Sequence, residues 1–135
     1  MRDEILGRDK EFDSLSTEYL LKLLHSNSRL NRARALSALA HRSSQEEAIT
    51  PQVLNVITES KNREARLLGS TISVSHIGFA TLWEFGLPNA RESLRRLLQD
   101  WPEPDRTDLL WFLKSQSISI EEASGAKNAF PTVQS

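Results

Sequence analysis

Between Tyr19 and Gln45 the chain carries no Asp or Glu, yet it holds Lys22, Arg29, Arg32, Arg34 and Arg42, with His25 and His41 among them. A cluster of that sign attracts acidic groups, whether they lie on a protein surface or along a phosphate backbone. On a helix through this stretch Arg34 and Arg42 are nearly in line, while Arg32 lies on an adjacent track. The competing use is internal, with Arg32 in the packing between helices and Arg34 and Arg42 paired with acids from elsewhere. A second basic group, Arg91, Arg95 and Arg96, has Glu92 at helical pairing distance. Trp83, Trp101 and Trp111 stand out because Trp beside Arg is a common composition for binding hot spots. Trp83 and Phe85 are expected between helices, whereas Trp101, between Asp100 and Pro102, suits surface and core equally. Trp111 and Phe112 lie within Leu109, Leu110 and Leu113, more apolar surface than one face of a short helix can bury. The C-terminal tail, a partner or a second copy of the chain must cover part of it.

Catalytic patterns are missing from this inventory. His25, His41 and His76 stand at no metal-ligand spacing, and with no Cys there is neither a thiolate ligand nor a thiol nucleophile. None of the five Gly falls in a phosphate-loop spacing, and no Gly-x-Ser-x-Gly elbow occurs. Glu46-Glu47 and Glu121-Glu122 are adjacent in the chain, so neither pair faces one substrate as catalytic carboxylates do. His76, alone on an apolar face, reads as a hydrogen-bonded core residue. The expectation is a non-enzyme without metal or cofactor.

The elements that position these residues read as helices. At 135 residues, 39% of them apolar and 26% charged, the chain suits one globular domain. Its net charge of -1 excludes a polycation acting as a whole. No apolar run approaches the ~20 residues of a membrane span, and the charged start at Arg2, Asp3 and Glu4 does not resemble a signal peptide. A cytoplasmic chain is expected. Three stretches align from their leucines: Leu20, Leu23, Leu24, Ser26, Arg32; Leu54, Ile57, Ser60, Arg66; and Leu94, Leu97, Leu98, Asp100, Arg106. In each, the Arg follows the first leucine by twelve residues, and the units are offset by 34 and 40 residues. Ser16 with Glu18 opens one helix, Thr50-Pro51 the next and Pro88 another. Asp105 and Asp108 are read as capping residues for Leu109 to Lys114. Ser70 to Ser75 is β-branched and alternating, but a lone strand would lack a partner, so 69–86 is read as one long or kinked helix bending near Gly78.

With these units in hand the sequence resembles HEAT and armadillo-type helical repeats across Ser16 to Gln116. Asn31-Arg32-Ala33-Arg34-Ala35-Leu36-Ser37-Ala38-Leu39-Ala40 looks like the second helix of a HEAT unit, and Ala65 to Gly69 and Arg106 to Leu110 look like weaker copies. The resemblance implies an all-α, short right-handed stack of about three helical hairpins, a HEAT-like superhelix with one face used for binding. It also implies a polar ladder made by an Asp six residues before each Arg; only Asp100 matches, while Ser26 and Ser60 replace the other two. About three units are the minimum that can bury one another's apolar faces. Residues 1–14 are read as a charged capping segment around Ile5 and Leu6, 15–116 as the repeat domain, and 117–135 as a tail with a short helix or none.

The expected function is recognition without catalysis: an adaptor or inhibitor that binds another protein, of which a bacterial immunity-type toxin binder is one form. Its surface is expected at Arg29, Arg34, His41, Arg42, Arg95 and Trp101, with Arg34, His41 and Arg42 outermost. The alternatives are a nucleic-acid-binding repeat using the same arginines and a homodimer that hides Trp111 and Phe112.

Overall fold

The computed structural model describes residues 6–67 and 70–118. Among these the chain is all-helical. Helices α1 (Lys10–Asp13), α2 (Thr17–Leu23), α3 (Arg29–Arg42) and α4 (Ile49–Thr58) are followed by α5 (Ser60–Arg63), α6 (Val74–Phe85), α7 (Pro88–Gln99) and α8 (Asp105–Ser115). Polar starts set the boundaries. Ser16 Oγ accepts from the Tyr19 N–H at 3.1 Å and Ser28 Oγ from the Asn31 N–H at 3.1 Å, each satisfying a donor that the first turn leaves open. Pro88 lies in the first turn of α7, as expected from its missing N–H. Helix α4 opens at Ile49, one residue before the expected Thr50 cap, and carries no side-chain cap.

Helices α3 and α6 form the centre and make the most extensive helix contact in the structure. Nearly every residue from Arg32 to His41 and from Val74 to Trp83 is buried. A helix buried all round must be built from small and apolar residues, which accounts for Ala33, Ala35, Ala38 and Ala40 on α3 and for Gly78 and Ala80 on α6. Helices α2 and α4 pack on α3; α4, α7 and α8 pack on α6. Leu6 and Phe12 join the same core, so the segment before α2 is attached rather than separate. Expectations for Ile5 and for 119–135 lie outside the described residues.

The 69–86 segment corrects the sequence reading. The helix starts only at Val74, and Ser70–Ser73 is a turn whose partner is local. Arg66 and Ser73 form an antiparallel bridge, the Leu67 N–H donates to the Ile72 carbonyl at 2.9 Å, and the Val74 N–H donates to the Ala65 carbonyl at 3.1 Å. The partner of this extended stretch lies a few residues earlier in the chain and not elsewhere in the fold. Helix α6 then runs unbroken through Gly78.

The end of α8 has a specific stop. Ser117 adopts φ 63°, its N–H donates to the Lys114 carbonyl, and the Ile118 N–H donates to the Leu113 carbonyl, both at 3.0 Å. This is a Schellman arrangement in which Ile118 and Leu113 are both buried, and Ser occupies the left-handed position that Gly usually fills. Ser117→Gly is therefore expected to raise stability by about 1 kcal/mol, the approximate penalty of a left-handed L-residue. Urea unfolding measures it, and a loss of stability contradicts this backbone.

Candidate functional site

Of the expected basic run, Arg32, Arg34, His41 and Arg42 are engaged within the fold while Lys22, His25 and Arg29 are exposed, and several arginines along the chain are taken up by helix C-termini. Helix ends leave carbonyls unpaired and partially negative, so a guanidinium is well placed there. Arg42 on α3 donates to the Asp13 carbonyl at 2.9 Å, to the Leu15 carbonyl and to Thr17 Oγ1 at 3.0 Å, joining the end of α1 to the start of α2. Arg91 on α7 donates to the Trp83 carbonyl of α6 at 2.9 Å, and Arg106 on α8 to the Leu98 carbonyl of α7 at 3.0 Å. Arg63 donates to the Thr58 carbonyl at the end of α4. Arg32, 8% exposed, reaches the Ser26 carbonyl and Asn62 Oδ1, both at 2.8 Å. These arginines fasten one helix to the next.

The residues expected at the binding surface divide accordingly. Arg34 lies over the Phe12 ring at 4.0 Å and holds Asp9 and Glu11 in ion pairs at 2.7 and 2.9 Å. His41 is not outermost: it is 6% exposed, donates from Nε2 to the Leu6 carbonyl at 2.7 Å and faces the Phe85 ring. Arg42 is half-buried in the junction just described. Trp101 belongs to the core at 6% exposure, edge-on to Phe79. Arg95 lies over the buried Trp83 ring at 5.2 Å and 3.8 Å from Glu92. Arg29 remains exposed, with one donation to the Arg66 carbonyl at 2.8 Å. The six do not converge on one surface.

Two of the three aligned arginines, Arg32 and Arg66, bridge separate parts of the chain, with partners other than the residues six positions before them. Asp100 is exposed at the end of α7. The first is Arg32, with Asn62. The second is Arg66, whose Nη2 lies 2.8 Å from Asp105 Oδ1 and 3.4 Å from Asp108. Asp105, read from sequence as a cap, is instead the hub of a buried cluster. Its Oδ1 also receives His76 Nε2 at 3.1 Å and its Oδ2 receives Trp101 Nε1 at 2.6 Å. His76 Nδ1 accepts the Ser73 N–H at 3.1 Å, which leaves the ring proton on Nε2, facing Asp105. His76 is a satisfied core residue that also completes the capping box of α6.

Burial holds both His41 and His76 below the ordinary imidazole value of 6.5. The unfolded chain therefore binds protons below pH 6.5 that the folded chain does not, and stability must fall with pH. The contribution is complete above the unfolded value and is lost as pH drops toward the folded values. The Arg34 hydrogen bond holds Asp9 below 3.8, so a further loss follows at more acid pH. Thermal unfolding is expected to show a midpoint that declines between about pH 7 and pH 5. A midpoint that is flat there contradicts buried neutral imidazoles.

Three large apolar side chains are exposed among the described residues, Tyr19, Leu30 and Trp111, and the most exposed, Trp111, lies on α8. Leu109, Phe112 and Leu113 are buried, whereas Trp111 on the same helix is 66% exposed. Thr107, Leu110, Trp111 and Lys114 line an open groove of about 250 Å³. The Lys114 ammonium lies over the indole at 5.6 Å. The excess of apolar residues in 109–113 signalled this face, although the expected surface residues did not include it. A second groove between α4 and α7 passes Pro51, Leu54, Ser93 and Leu97. Among the described residues no cluster of acidic residues and histidines is placed to hold a metal, and no helix is long and apolar enough to cross a membrane. No family model, curated protein or solved structure matches the chain.

Proposed function

We propose that this chain is a non-catalytic protein–protein interaction module, an adaptor or inhibitor built as a short HEAT-like stack, which docks its partner on α8. The observation that carries the reading is Trp111, a large aromatic side chain left 66% exposed beside Leu110 on a firmly packed helix. Exposed Trp on a rigid element is a typical energetic anchor, because little conformational entropy is lost when it is covered. The helix neighbours support the stacked arrangement: α3 and α8 both pack on α6, as second helices of successive units would, and α4 touches α7, as first helices would. Nucleic-acid binding is the weaker reading, because Arg34 is neutralised by Asp9 and Glu11 and the other arginines are dispersed.

The test is affinity capture with the tagged chain from its native host, at low and high salt, with and without nuclease. A stoichiometric protein that survives nuclease supports the reading. Nucleic acid alone, released by salt, overturns it. Trp111→Ala is expected to change stability by less than about 0.5 kcal/mol, as substitutions at exposed positions do. Circular-dichroism melting checks this, and a large loss would mean that the indole belongs to the fold.

A further inference from the structure

We propose that the partner on the α8 face is a second copy of this chain, paired through α8 in antiparallel fashion; the inference rests on the reading of α8 as a docking face. A two-fold interface must be complementary to itself, because the same patch is used on both sides. The α8 stripe meets that requirement. Thr107, Leu110, Trp111 and Lys114 follow the three- and four-residue spacing that places them in one line along the helix.

The two ends of the line carry opposite charge. At the start, the exposed Glu103 carboxylate is held against Thr107, accepting from its N–H at 3.1 Å and its Oγ1 at 2.8 Å. At the other end stands Lys114, which pairs with no carboxylate among the described residues and rests on its own Trp111 ring. Antiparallel pairing centred between Leu110 and Trp111 sets Trp111 on the partner's Leu110. The same operation brings Lys114 opposite the partner's Thr107, hence to the partner's Glu103 carboxylate. Both contacts occur twice. Parallel pairing would instead oppose the two ammonium groups and align the helix dipoles unfavourably. A single helix stripe buries little surface, so the dimer belongs to the small, concentration-dependent class.

Sedimentation velocity from micromolar to millimolar protein tests this. The wild-type chain is expected to show a monomer–dimer equilibrium, and Trp111→Ala, which removes the anchor from both copies, to weaken it by well over about thirtyfold, the loss that removal of one hot-spot residue brings. Lys114→Glu alone and Glu103→Lys alone are each expected to dimerise poorly. An equimolar mixture of the two restores dimers, because each contact then joins a Lys to a Glu. A wild-type chain that is monomeric throughout, or a mixture that fails to restore dimers, overturns the proposal. If the chain is monomeric while capture of another protein still depends on Trp111, only the identity of the partner falls. If neither self-association nor capture depends on Trp111, the docking face falls with it.

Discussion

Replacing Asp105 by Ala is expected to destabilise the fold by about 3–5 kcal/mol, the range for removing one partner from a buried charged network. Asp105 is only 9% exposed, and its two oxygens receive Arg66, His76 and Trp101 from three separate parts of the chain. The Ala variant leaves the buried His76 N–H and Trp101 indole N–H without their acceptors, and unmade bonds of that kind carry a desolvation cost. Arg66 retains Asp108 at 3.4 Å, so its charge is not stranded completely. Asp105→Asn keeps one carbonyl oxygen and the side-chain volume, and is expected to lose roughly half as much, since charge-assisted bonds are about twice as strong as neutral ones. Urea unfolding of the two variants gives both numbers. A cost below about 1 kcal/mol for Asp105→Ala, the level of an ordinary substitution, contradicts the hub.

Gly78→Ala is expected to cost about 2–3 kcal/mol, against the usual gain of about 1 kcal/mol for the same change in an exposed helix interior. The reason is the close approach of α3 and α6. A Cβ built on Gly78 would lie 2.9 Å from Leu36 Cγ, closer still to Leu36 Cδ2, and 3.0 Å from Ile57 Cγ1. Leu36 and Ile57 are completely buried, so neither can swing aside without disturbing its own neighbours. Making room at Leu36 offers a control: in the Leu36→Val background the Gly78→Ala change is expected to cost less, a coupling that a double-mutant cycle measures. A neutral or stabilising Gly78→Ala in the wild-type background would contradict the α3–α6 contact.

Legibility of this fold followed the range of the interactions. The starts at Ser16 and Pro88 were readable because a cap is settled by residues within one turn. The arginines were not: Arg42 finds its carbonyls 27 and 29 residues earlier, and Arg34 finds Asp9 25 residues earlier. A run without acids therefore reads as a free basic face, although the acids and carbonyls that take up Arg34, His41 and Arg42 come from the segment before α2. Asp105 was misread for the same reason, since His76 lies 29 residues away. The bridge between Arg66 and Ser73 lies at the opposite extreme, because the partner of the β-branched stretch is only seven residues away. Trp111 was legible as an excess: five consecutive apolar residues on an eleven-residue helix cannot all face inward. Composition revealed that surplus, and only packing could decide which side chain was left out.

The central claim is that recognition depends on the α8 face and not on the basic run. The most direct measurement compares three proteins in one capture assay: the wild-type chain, Trp111→Ala and Arg29→Ala, the last removing the exposed arginine of the expected basic patch. The partner should be retained by Arg29→Ala and lost by Trp111→Ala, with both variants folded by circular dichroism. Retention by Trp111→Ala together with loss by Arg29→Ala would contradict the account.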